Sequence, residues 1–335
     1  MKDTTNKVAL ITGILGQDGS YIAELLLGKG YTVHGLARPE INKDSRDKHD
    51  KIEGIINNKN FFLHHINIID LKAITDLFIT ISPDEVYHFA AQSSVIKSFD
   101  NEWNTFEINT KSTVLLLGVI REYRPETRFF LAASSEMFGD AIETPQNELT
   151  PFNPNSPYGV SKVASYYITK IYREKYALFA CSGICFNHES SRRTENFVTR
   201  KITSTVAKIK YGLANELRVG NLETRRDWGY SGDFVVAIWL MLQQSKPDDY
   251  VIGTGVNHSI LEFIEKAFKY VDLDWRDYVV FDQDLFRPSE KNHWLADISK
   301  AKIDLNWQPT VTFDTLIEMM MLKDIERVEK TIQQQ

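Results

Sequence analysis

A short apolar run near the amino end of the chain leads directly into a glycine-rich turn. The run, Lys7 to Gly13, has the length and continuous hydrophobicity of a strand that is buried on both faces. Ser20 to Gly28 then carries apolar residues at helical spacing, and Tyr31 to Leu36 has the composition of a second strand. This order predicts a strand–helix–strand unit with parallel strands and a right-handed crossover.

The same alternation of strands and helices continues along the chain. Helical segments separate five further strand candidates, which are Asn60 to Ile66, Glu85 to Phe89, Arg128 to Ala133, Ala180 to Phe186 and Tyr250 to Thr254. The pattern predicts an α/β fold with a doubly wound parallel sheet that is covered by helices on both faces.

A second, smaller lobe is predicted from the middle and the end of the chain. Gly220 to Ser231 reads as a polar, arginine-rich excursion, and Phe286 to Glu290 reads as a binding loop. We expect residues 1–186 plus about 232–258 to form the sheet domain. Residues 187–231 plus 259–335 are then expected to form a discontinuous α/β lobe that binds the substrate.

Composition excludes several classes of protein. The formal net charge of −6 provides no basic field, so nucleic-acid binding is not expected. The two cysteines, Cys181 and Cys185, indicate buried thiols rather than a disulfide framework or a metal site, since no ligand cluster completes them. No apolar run has the length of a membrane span and the start of the chain has no apolar leader, so we expect a cytoplasmic protein.

The first turn has the spacing of a phosphate-binding loop. Gly13, Gly16 and Gly19 follow a strand and precede a helix, which allows a tight turn, close approach of a pyrophosphate and helix–strand packing. A purely structural glycine turn is the alternative. Arg38 follows the second strand, where enzymes that prefer NAD usually carry a carboxylate, so its guanidinium favours the 2′-phosphate of NADP. The alternative is that Arg38 is a surface cation.

Two pairs of residues have the chemistry of an acid–base site. Tyr158 and Lys162 are four residues apart, which places them on one face of a helix, where the ammonium is expected to lower the pKa of the phenol. Ser134 and Glu136 run off the end of a predicted parallel strand, the edge at which such sheets bind ligands. Without the tyrosine and lysine, Glu136 would read as a surface carboxylate.

A series of sequence motifs, in an order shared with a known family, covers nearly the whole chain. They are Thr12-Gly13-x-x-Gly16-Gln17-Asp18-Gly19-Ser20-Tyr21, Ala90-Ala91-Gln92-Ser93, Ser134-Ser135-Glu136, Ser156-Pro157-Tyr158-x-x-x-Lys162, Phe186-Asn187-His188-Glu189-Ser190, Phe197-Val198-Thr199-Arg200-Lys201-Ile202, Arg226-Asp227-Trp228-Gly229 and Arg287-Pro288-x-Glu290. With these motifs the chain resembles the extended short-chain dehydrogenase/reductases and, within them, the GDP-mannose 4,6-dehydratases. The resemblance implies a Rossmann sheet and a GDP-sugar 4,6-dehydratase.

The resemblance also implies a role for each catalytic residue. Tyr158 would remove the proton of the sugar 4-hydroxyl, Lys162 would lower the pKa of that tyrosine, and Ser134 would hydrogen-bond the 4-oxygen. Glu136 would take the C5 proton and help to expel the C6 hydroxyl as water. Hydride would leave C4 and return to C6, so the tightly held cofactor would be regenerated in each turnover.

Binding residues follow from the same resemblance. The implied cofactor, NADP with NAD as the alternative, would contact Gly13, Leu15, Gly16, Gln17, Asp18, Arg38, Asn67, Ile68, Phe89, Ala90, Ala91, Ser93, Tyr158, Lys162, His188 and Arg193. The implied GDP-sugar would contact Ser93, Glu136, Asn187, Val198, Lys201, Arg226, Arg287 and Glu290. The resemblance implies no metal, and a homodimer or homotetramer as the assembly.

Three departures from the family pattern bear on cofactor and substrate. Pro39 replaces a second arginine and a charged stretch over residues 40–51 replaces a serine-rich loop; Asn67-Ile68 replaces an Asp-Leu pair, and Asn104 replaces a tyrosine. They leave the catalytic group intact, but they suggest a diverged substrate such as a GDP-heptose.

Two other functions are compatible with the fold. One is a nucleotide-sugar 4-epimerase, 4-keto reductase or decarboxylase, and the other is a non-catalytic dinucleotide sensor. Glu136 argues against epimerases and reductases, which need no C5 base. The motifs around His188 and Lys201 argue against decarboxylases, and the retained tyrosine and lysine argue against a sensor.

Overall fold

The chain is built around a seven-stranded parallel sheet. The computed structural model describes residues 6–39, 50–285 and 294–334. Along the sheet the strands are ordered β11-β6-β5-β4-β1-β2-β3. These strands are β1 (Val8–Thr12), β2 (Thr32–Ala37), β3 (Phe61–His65), β4 (Glu85–His88), β5 (Arg128–Ser134), β6 (Ala180–Cys185) and β11 (Tyr250–Ile252). The predicted doubly wound α/β sheet is therefore confirmed.

Three two-stranded pairs lie outside this sheet. They join β7 to β10 and β8 to β13 in parallel, and β9 to β12 antiparallel. Their strands are β7 (Asn187–Glu189), β8 (Leu217–Val219), β9 (Arg225–Arg226), β10 (Trp228–Tyr230), β12 (His258–Ser259) and β13 (Val279–Phe281).

Helices alternate with the strands. Those of the first half are α1 (Gln17–Gly28), α2 (Leu71–Ile81), α3 (Val95–Asp100), α4 (Glu102–Phe106), α5 (Ser112–Tyr123) and α6 (Pro157–Tyr176). The later ones are α7 (Val198–Lys210), α8 (Ser231–Met241), α9 (Ile260–Lys269), α10 (Ser299–Leu305) and α11 (Phe313–Gln333). A π-helical turn, Glu107–Lys111, joins α4 to α5.

Apolar side chains fill both faces of the sheet. One face packs on α1, α8 and α10, through residues such as Ile11, Leu26 and Ile238. The other face packs on α2 and α5, through residues such as Leu10 and Leu117. Helices on both faces explain why the strands read as continuous hydrophobic runs.

A separate apolar cluster forms between α7, α9 and α11. Trp228 joins it from the strand pair beside the sheet, with Phe263 and Phe313 packed around its indole.

The division into two lobes with the boundaries given above stays a prediction. Residues of α10, including Ala301 and Leu305, pack in the cluster under the main sheet.

Two local predictions differ from the structure. Helix α1 begins at Gln17, three residues before the predicted start, because extended Gly16 caps it directly after the turn. The predicted polar excursion from Gly220 to Ser231 contains β9 and β10, and Trp228 is only 3% exposed. Pairing with β12 and β7 satisfies the backbone there, a long-range contact that local polarity does not reveal.

Within the part of the chain that the structure describes, no helix combines the length and the apolar character that a bilayer crossing requires.

A half-buried histidine, His34, and a buried one, His88, predict acid sensitivity. Burial, aided by neighbouring His64, lowers the pKa of His34 to about 4, and burial, aided by Lys162, lowers the pKa of His88 to about 3. The unfolded chain therefore binds protons below pH 6.5 that the folded chain does not. Stability is retained above this range and falls as the pH drops, by roughly 1.4 kcal/mol per pH unit for each histidine.

Replacing His34 with phenylalanine should reduce this pH dependence, since one half-buried titrating group is removed while stacking on Phe62 is retained. The measurement is the free energy of unfolding from denaturant titrations at pH 7 and pH 5. An equal loss of stability in the parent and in His34→Phe would contradict the assignment.

Candidate active site

The carboxyl ends of the parallel strands bring most of the predicted site residues to one edge of the sheet. The glycine turn follows β1, Arg38 follows β2, Phe89 to Ala91 follow β4, Ser134 ends β5, and Asn187 lies just beyond β6. Parallel strands share this edge, so residues far apart in sequence become neighbours.

The glycine turn has the shape of a cradle for phosphate. Gly13 adopts a φ of +73°, and a Cβ at this position would lie 2.9 Å from the backbone nitrogen of Ala90. Gly16 precedes the first turn of α1, so the backbone N–H groups of the helix start face the space above it. Leu15 is half-buried beside the turn. These features fit the pyrophosphate of a dinucleotide.

Behind the turn, a polar network ties α1 to β7 and α8. Asp18 Oδ2 lies 2.9 Å from His188 Nε2, and Asp18 Oδ1 accepts a hydrogen bond of 2.7 Å from Ser231 Oγ. Gln17 Nε2 donates to the His188 carbonyl at 3.0 Å, and Ser190 Oγ donates to Gln17 Oε1 at 2.8 Å. The network holds the start of α1 against the strand that carries His188.

Charge in this network is balanced internally. Burial opposes ionisation of both groups, yet the Asp18–His188 pair and its hydrogen bonds lower the pKa of Asp18 and raise the pKa of His188. Arg193 lies close by, where its guanidinium stacks on Phe197 at 3.6 Å and its Nε is 3.3 Å from Glu189. The carboxylate beside the phosphate cradle is therefore neutralised by adjacent cations.

The adenosine end of the predicted cofactor site is only partly formed by side chains. Arg38 is exposed after β2, and Asn67 is exposed after β3. Ile68 is 8% exposed, and its side chain packs in the core under the sheet. The charged stretch over residues 40–49 lies outside the described residues.

The tyrosine and lysine lie on the same face of α6, as predicted. Tyr158 and Lys162 are 8% and 5% exposed, and Lys162 Nζ lies 5.8 Å from the centroid of the phenol ring. Lys162 Nζ donates a 2.7 Å hydrogen bond to the carbonyl of Ala132, which fixes α6 to β5. Ser134 lies near enough to the Tyr158 hydroxyl to oppose the rise of the phenol pKa that burial causes.

The expectation that Lys162 lowers the pKa of the phenol is wrong for this structure. Burial raises the pKa of Tyr158 to about 12, although the Ser134 hydrogen bond opposes the shift. Burial also lowers the pKa of Lys162 to about 8. Helical spacing places the two side chains on one face, but the cost of removing the charged groups from water has the larger effect on both pKa values. The Lys162 ammonium is directed to the Ala132 carbonyl.

Glu136 lies on a short 3-10 turn directly after β5. Its backbone nitrogen donates to Ser134 Oγ at 3.2 Å, so the Ser134 hydroxyl is held against the backbone of Glu136. Glu136 is half-buried, and its charge acts on the Tyr158 phenol. Ser93 is exposed just before α3, after the Phe89–Ala91 segment. The structure thus brings the four predicted catalytic residues together.

Two supporting residues were missed by the sequence reasoning. Asn109 in the π-helical turn donates to Ser161 Oγ at 2.9 Å, which braces α6 between Tyr158 and Lys162. Both ring nitrogens of His88 are hydrogen-bonded. Nδ1 lies 2.8 Å from Thr12 Oγ1, and Nε2 lies 3.0 Å from Ser112 Oγ. Neither residue has a local sequence signal, because each acts across contacts between distant elements.

The predicted substrate residues fall into two groups. Asn187 on β7, Val198 and Lys201 on α7, and Arg226 on β9 are all partly buried, and β7 pairs with β10, which begins two residues after Arg226. Arg287 and Glu290 lie outside the described residues.

Asp227, quoted in a motif but assigned no role, is a buried structural anchor. It is 0% exposed and accepts hydrogen bonds from Thr254 N at 2.8 Å, Gly255 N at 2.9 Å and Ala296 N at 3.2 Å. Burial outweighs these bonds and raises its pKa.

Among residues 6–39, 50–285 and 294–334, no group of three or more histidine, cysteine or acidic side chains is placed to hold a metal ion.

The fold and site define a class of protein. A seven-stranded parallel sheet, a glycine turn after its first strand and a Tyr-x-x-x-Lys helix beside a serine characterise the extended short-chain dehydrogenase/reductases. A solved structure of UDP-glucose 4-epimerase from Thermotoga maritima superposes with a TM-score of 0.83 at 22% identity, covering 97% of this chain and 99% of that one. At this identity the likeness shows the fold alone.

Sequence comparison identifies the family. The model of the GDP-mannose 4,6 dehydratase family matches residues 10–320. GDP-mannose 4,6 dehydratase 2 of Arabidopsis thaliana is 48% identical over 330 residues, covering 97% of this chain and 88% of that protein. GDP-mannose 4,6 dehydratase 1 of the same plant is 46% identical over 330 residues, covering 97% and 91%. The chain belongs to the GDP-mannose 4,6-dehydratase family.

Filling the glycine cradle should weaken dinucleotide binding. Gly13→Ala forces a side chain into a left-handed backbone conformation and against Ala90, so affinity for NADP or NAD should fall by about tenfold or more. Isothermal titration calorimetry measures the affinity. Gly28→Ala is the matched control, because a Cβ at that position meets no atom within 4 Å. Equal affinity of the two variants would exclude the turn as the phosphate site.

Proposed function

We propose that this chain catalyses the 4,6-dehydration of a GDP-sugar with a tightly held nicotinamide dinucleotide. The reaction is oxidation at C4, loss of water across C5 and C6, and return of hydride to C6. The observation that carries the proposal is the meeting of Ser134, Glu136, Tyr158 and Lys162 beside a phosphate cradle in a member of the dehydratase family.

The cofactor fits the carboxyl edge of the sheet. The Gly13–Asp18 turn would hold its pyrophosphate, and Lys162 and Arg193 would provide positive charge near its nicotinamide half. When bound, the oxidised nicotinamide supplies a hydride acceptor and a positive charge close to the phenol. Asp18 does not repel the phosphates, because His188 neutralises it.

Tyr158 takes the proton of the 4-hydroxyl. Its pKa is high through burial, so it works as a base only where nearby positive charge and hydrogen bonds favour the phenolate. The Ser134 hydroxyl lies close to the phenol and favours its ionised form, and Lys162 lies on the same helix face. These residues orient the 4-oxygen of the sugar between Ser134 and Tyr158.

Glu136 serves the second half of the reaction. A ketone at C4 acidifies the hydrogen on C5, and a carboxylate within reach can remove it and then protonate the departing C6 hydroxyl. The backbone of Glu136 is held by Ser134, so the base for C5 is fixed relative to the group that binds the 4-oxygen. A 4-epimerase or 4-keto reductase has no use for this carboxylate.

Family and departures together define the substrates to test. The relatives are GDP-mannose dehydratases, and the altered cofactor-side positions Pro39, Asn67 and Asn104 motivate GDP-manno-heptose as the second substrate. Asn187, Lys201 and Arg226 would contact the GDP-sugar, with the guanidinium of Arg226 on the diphosphate. Arg287 and Glu290 are proposed for the same region from the family motif.

Paired variants test the proposed mechanism. The parent should convert a GDP-sugar to a product lighter by one water, without added cofactor and without net reduced nicotinamide. Glu136→Gln should oxidise C4 and stall, because the C5 base is lost, and reduced nicotinamide should become visible in the near-ultraviolet absorbance. Tyr158→Phe should stop earlier and show no reduced nicotinamide. Each variant should lose about a hundredfold or more in turnover.

Mass spectrometry of the product and absorbance of the enzyme measure these outcomes with GDP-mannose and GDP-manno-heptose separately. Stoichiometric accumulation of reduced cofactor by the parent would indicate a simple dehydrogenase. Unchanged turnover in Glu136→Gln would remove Glu136 from the mechanism.

NADP is proposed as the preferred cofactor. Arg38 is exposed at the end of β2, and a guanidinium there suits a 2′-phosphate. Arg38→Ala should weaken NADP binding by about 10- to 100-fold and leave NAD binding nearly unchanged, as expected for loss of a charge-assisted hydrogen bond. The nucleotide released from denatured parent protein provides an independent check. Release of NAD alone would show that Arg38 is a surface cation.

A homodimer is proposed as the basic assembly. Val160, Tyr167 and Ile171 are 42%, 50% and 50% exposed and recur at helical spacing along the outer side of α6. Trp103 on neighbouring α4 is 77% exposed. Such an apolar stripe suits pairing with the same stripe of a second copy across a two-fold axis. Cytoplasmic location stays a prediction.

A further inference from the structure

Trp294 lies beside Arg226, the arginine proposed to bind the diphosphate, and belongs to the cluster that flanks residues Ser134–Glu136, called the catalytic loop below. It is 7% exposed and packs in an apolar cluster with Ala133 and Met137, the residues on either side of Ser134 and Glu136. On its other side, the guanidinium carbon of Arg226 lies 4.8 Å from the centroid of the indole ring. Trp294 therefore belongs to the apolar cluster that flanks Ser134 and Glu136, and it also lies against Arg226.

The backbone around Trp294 is held from two directions. Gln146 N donates to the Leu295 carbonyl at 2.8 Å, and Leu295 N donates to Gln146 Oε1 at 3.0 Å. Asp227, which follows Arg226 directly, accepts from Ala296 N at 3.2 Å. The indole is thus a fixed surface, and the residue beside Arg226 helps to fix it.

Stacking suits an arginine that must bind a diphosphate. Arg226 Nη1 donates to the Arg225 carbonyl at 2.8 Å, which orients one edge of the guanidinium. A guanidinium that lies over an indole keeps its N–H donors in its own plane, where they can still fork phosphate oxygens. The apolar cluster that Trp294 shares with Ala133 and Met137 then relates that plane to the segment that carries Glu136.

We propose that Trp294 is a positioning residue for the substrate: it holds Arg226 ready for the diphosphate and fixes that arginine relative to the catalytic loop. The proposal rests on the proposed function, because the role of Arg226 is assigned there. Trp294 acts through Arg226 and not on the reacting atoms. Its removal should therefore weaken binding more than it slows the chemical steps.

A double-mutant cycle tests this coupling. The variants are Trp294→Leu, Trp294→Phe, Arg226→Ala and the double variant Trp294→Leu/Arg226→Ala, and the probe is GDP in isothermal titration calorimetry. Trp294→Leu should weaken GDP binding by about tenfold, and Trp294→Phe by about threefold, because a smaller ring retains part of the cation–π contact. In the Arg226→Ala background, Trp294→Leu should add less than about twofold.

Kinetics with the GDP-sugar provide the second readout. Trp294→Leu should raise KM by about tenfold and change kcat by less than about twofold, as expected for a loss of binding alone. Arg225→Ala is the matched control: this neighbouring arginine pairs with Glu262 at 3.0 Å, and its loss should leave GDP affinity unchanged.

Additive effects of Trp294→Leu and Arg226→Ala would overturn the proposal and leave Trp294 as a core residue. If Trp294→Leu fails to fold, Trp294→Phe in the two backgrounds makes the same comparison. Coupled effects on GDP affinity in a parent that does not dehydrate GDP-sugars would refute the proposed function and support the positioning role. Additive effects in an active dehydratase would support the proposed function and refute the positioning role of Trp294.

Discussion

Parallel pairing of β1, β4, β5 and β6 is the constraint on which the site depends. Thr12 pairs with His88 across β1 and β4, and Ser134 pairs with Cys185 across β5 and β6. This register places the phosphate turn, the Phe89–Ala91 segment and the catalytic loop along one edge. Side-chain bonds from His88 to Thr12 and Ser112 then connect that edge to the helices above it.

The charged groups at this edge are largely buried, and the fold pairs or hydrogen-bonds them. Asp18 is stabilised by His188 and Ser231, and Lys162 by the carbonyl of Ala132. Buried ionised groups are costly unless they are paired or hydrogen-bonded, so these contacts define how the site can bind an anionic dinucleotide. The raised pKa of Tyr158 follows from the same burial, so the proposed role of the phenol as a base requires positive charge beside it.

Much of the fold was predictable from the chain because its strands are continuous apolar runs and its turns contain glycine. The late strand Tyr250–Ile252 was expected to return to the sheet, and it pairs with β6. Strands β9 and β10 were not expected, since their residues are polar or aromatic and their partners lie far away in sequence. Asn109 and Trp294 escaped for the same reason: their contacts are tertiary.

The sequence by itself determined the fold class and predicted a phosphate-binding turn and a catalytic group, because periodicity and motif spacing are local properties of the chain. It also carried the family resemblance, which full-length relatives at 46–48% identity bear out. The tertiary structure alone decided the pKa of Tyr158, the neutralisation of Asp18 and the stacking of Arg226 on Trp294. Burial and long-range contact set these properties, and neither is encoded in the neighbouring residues.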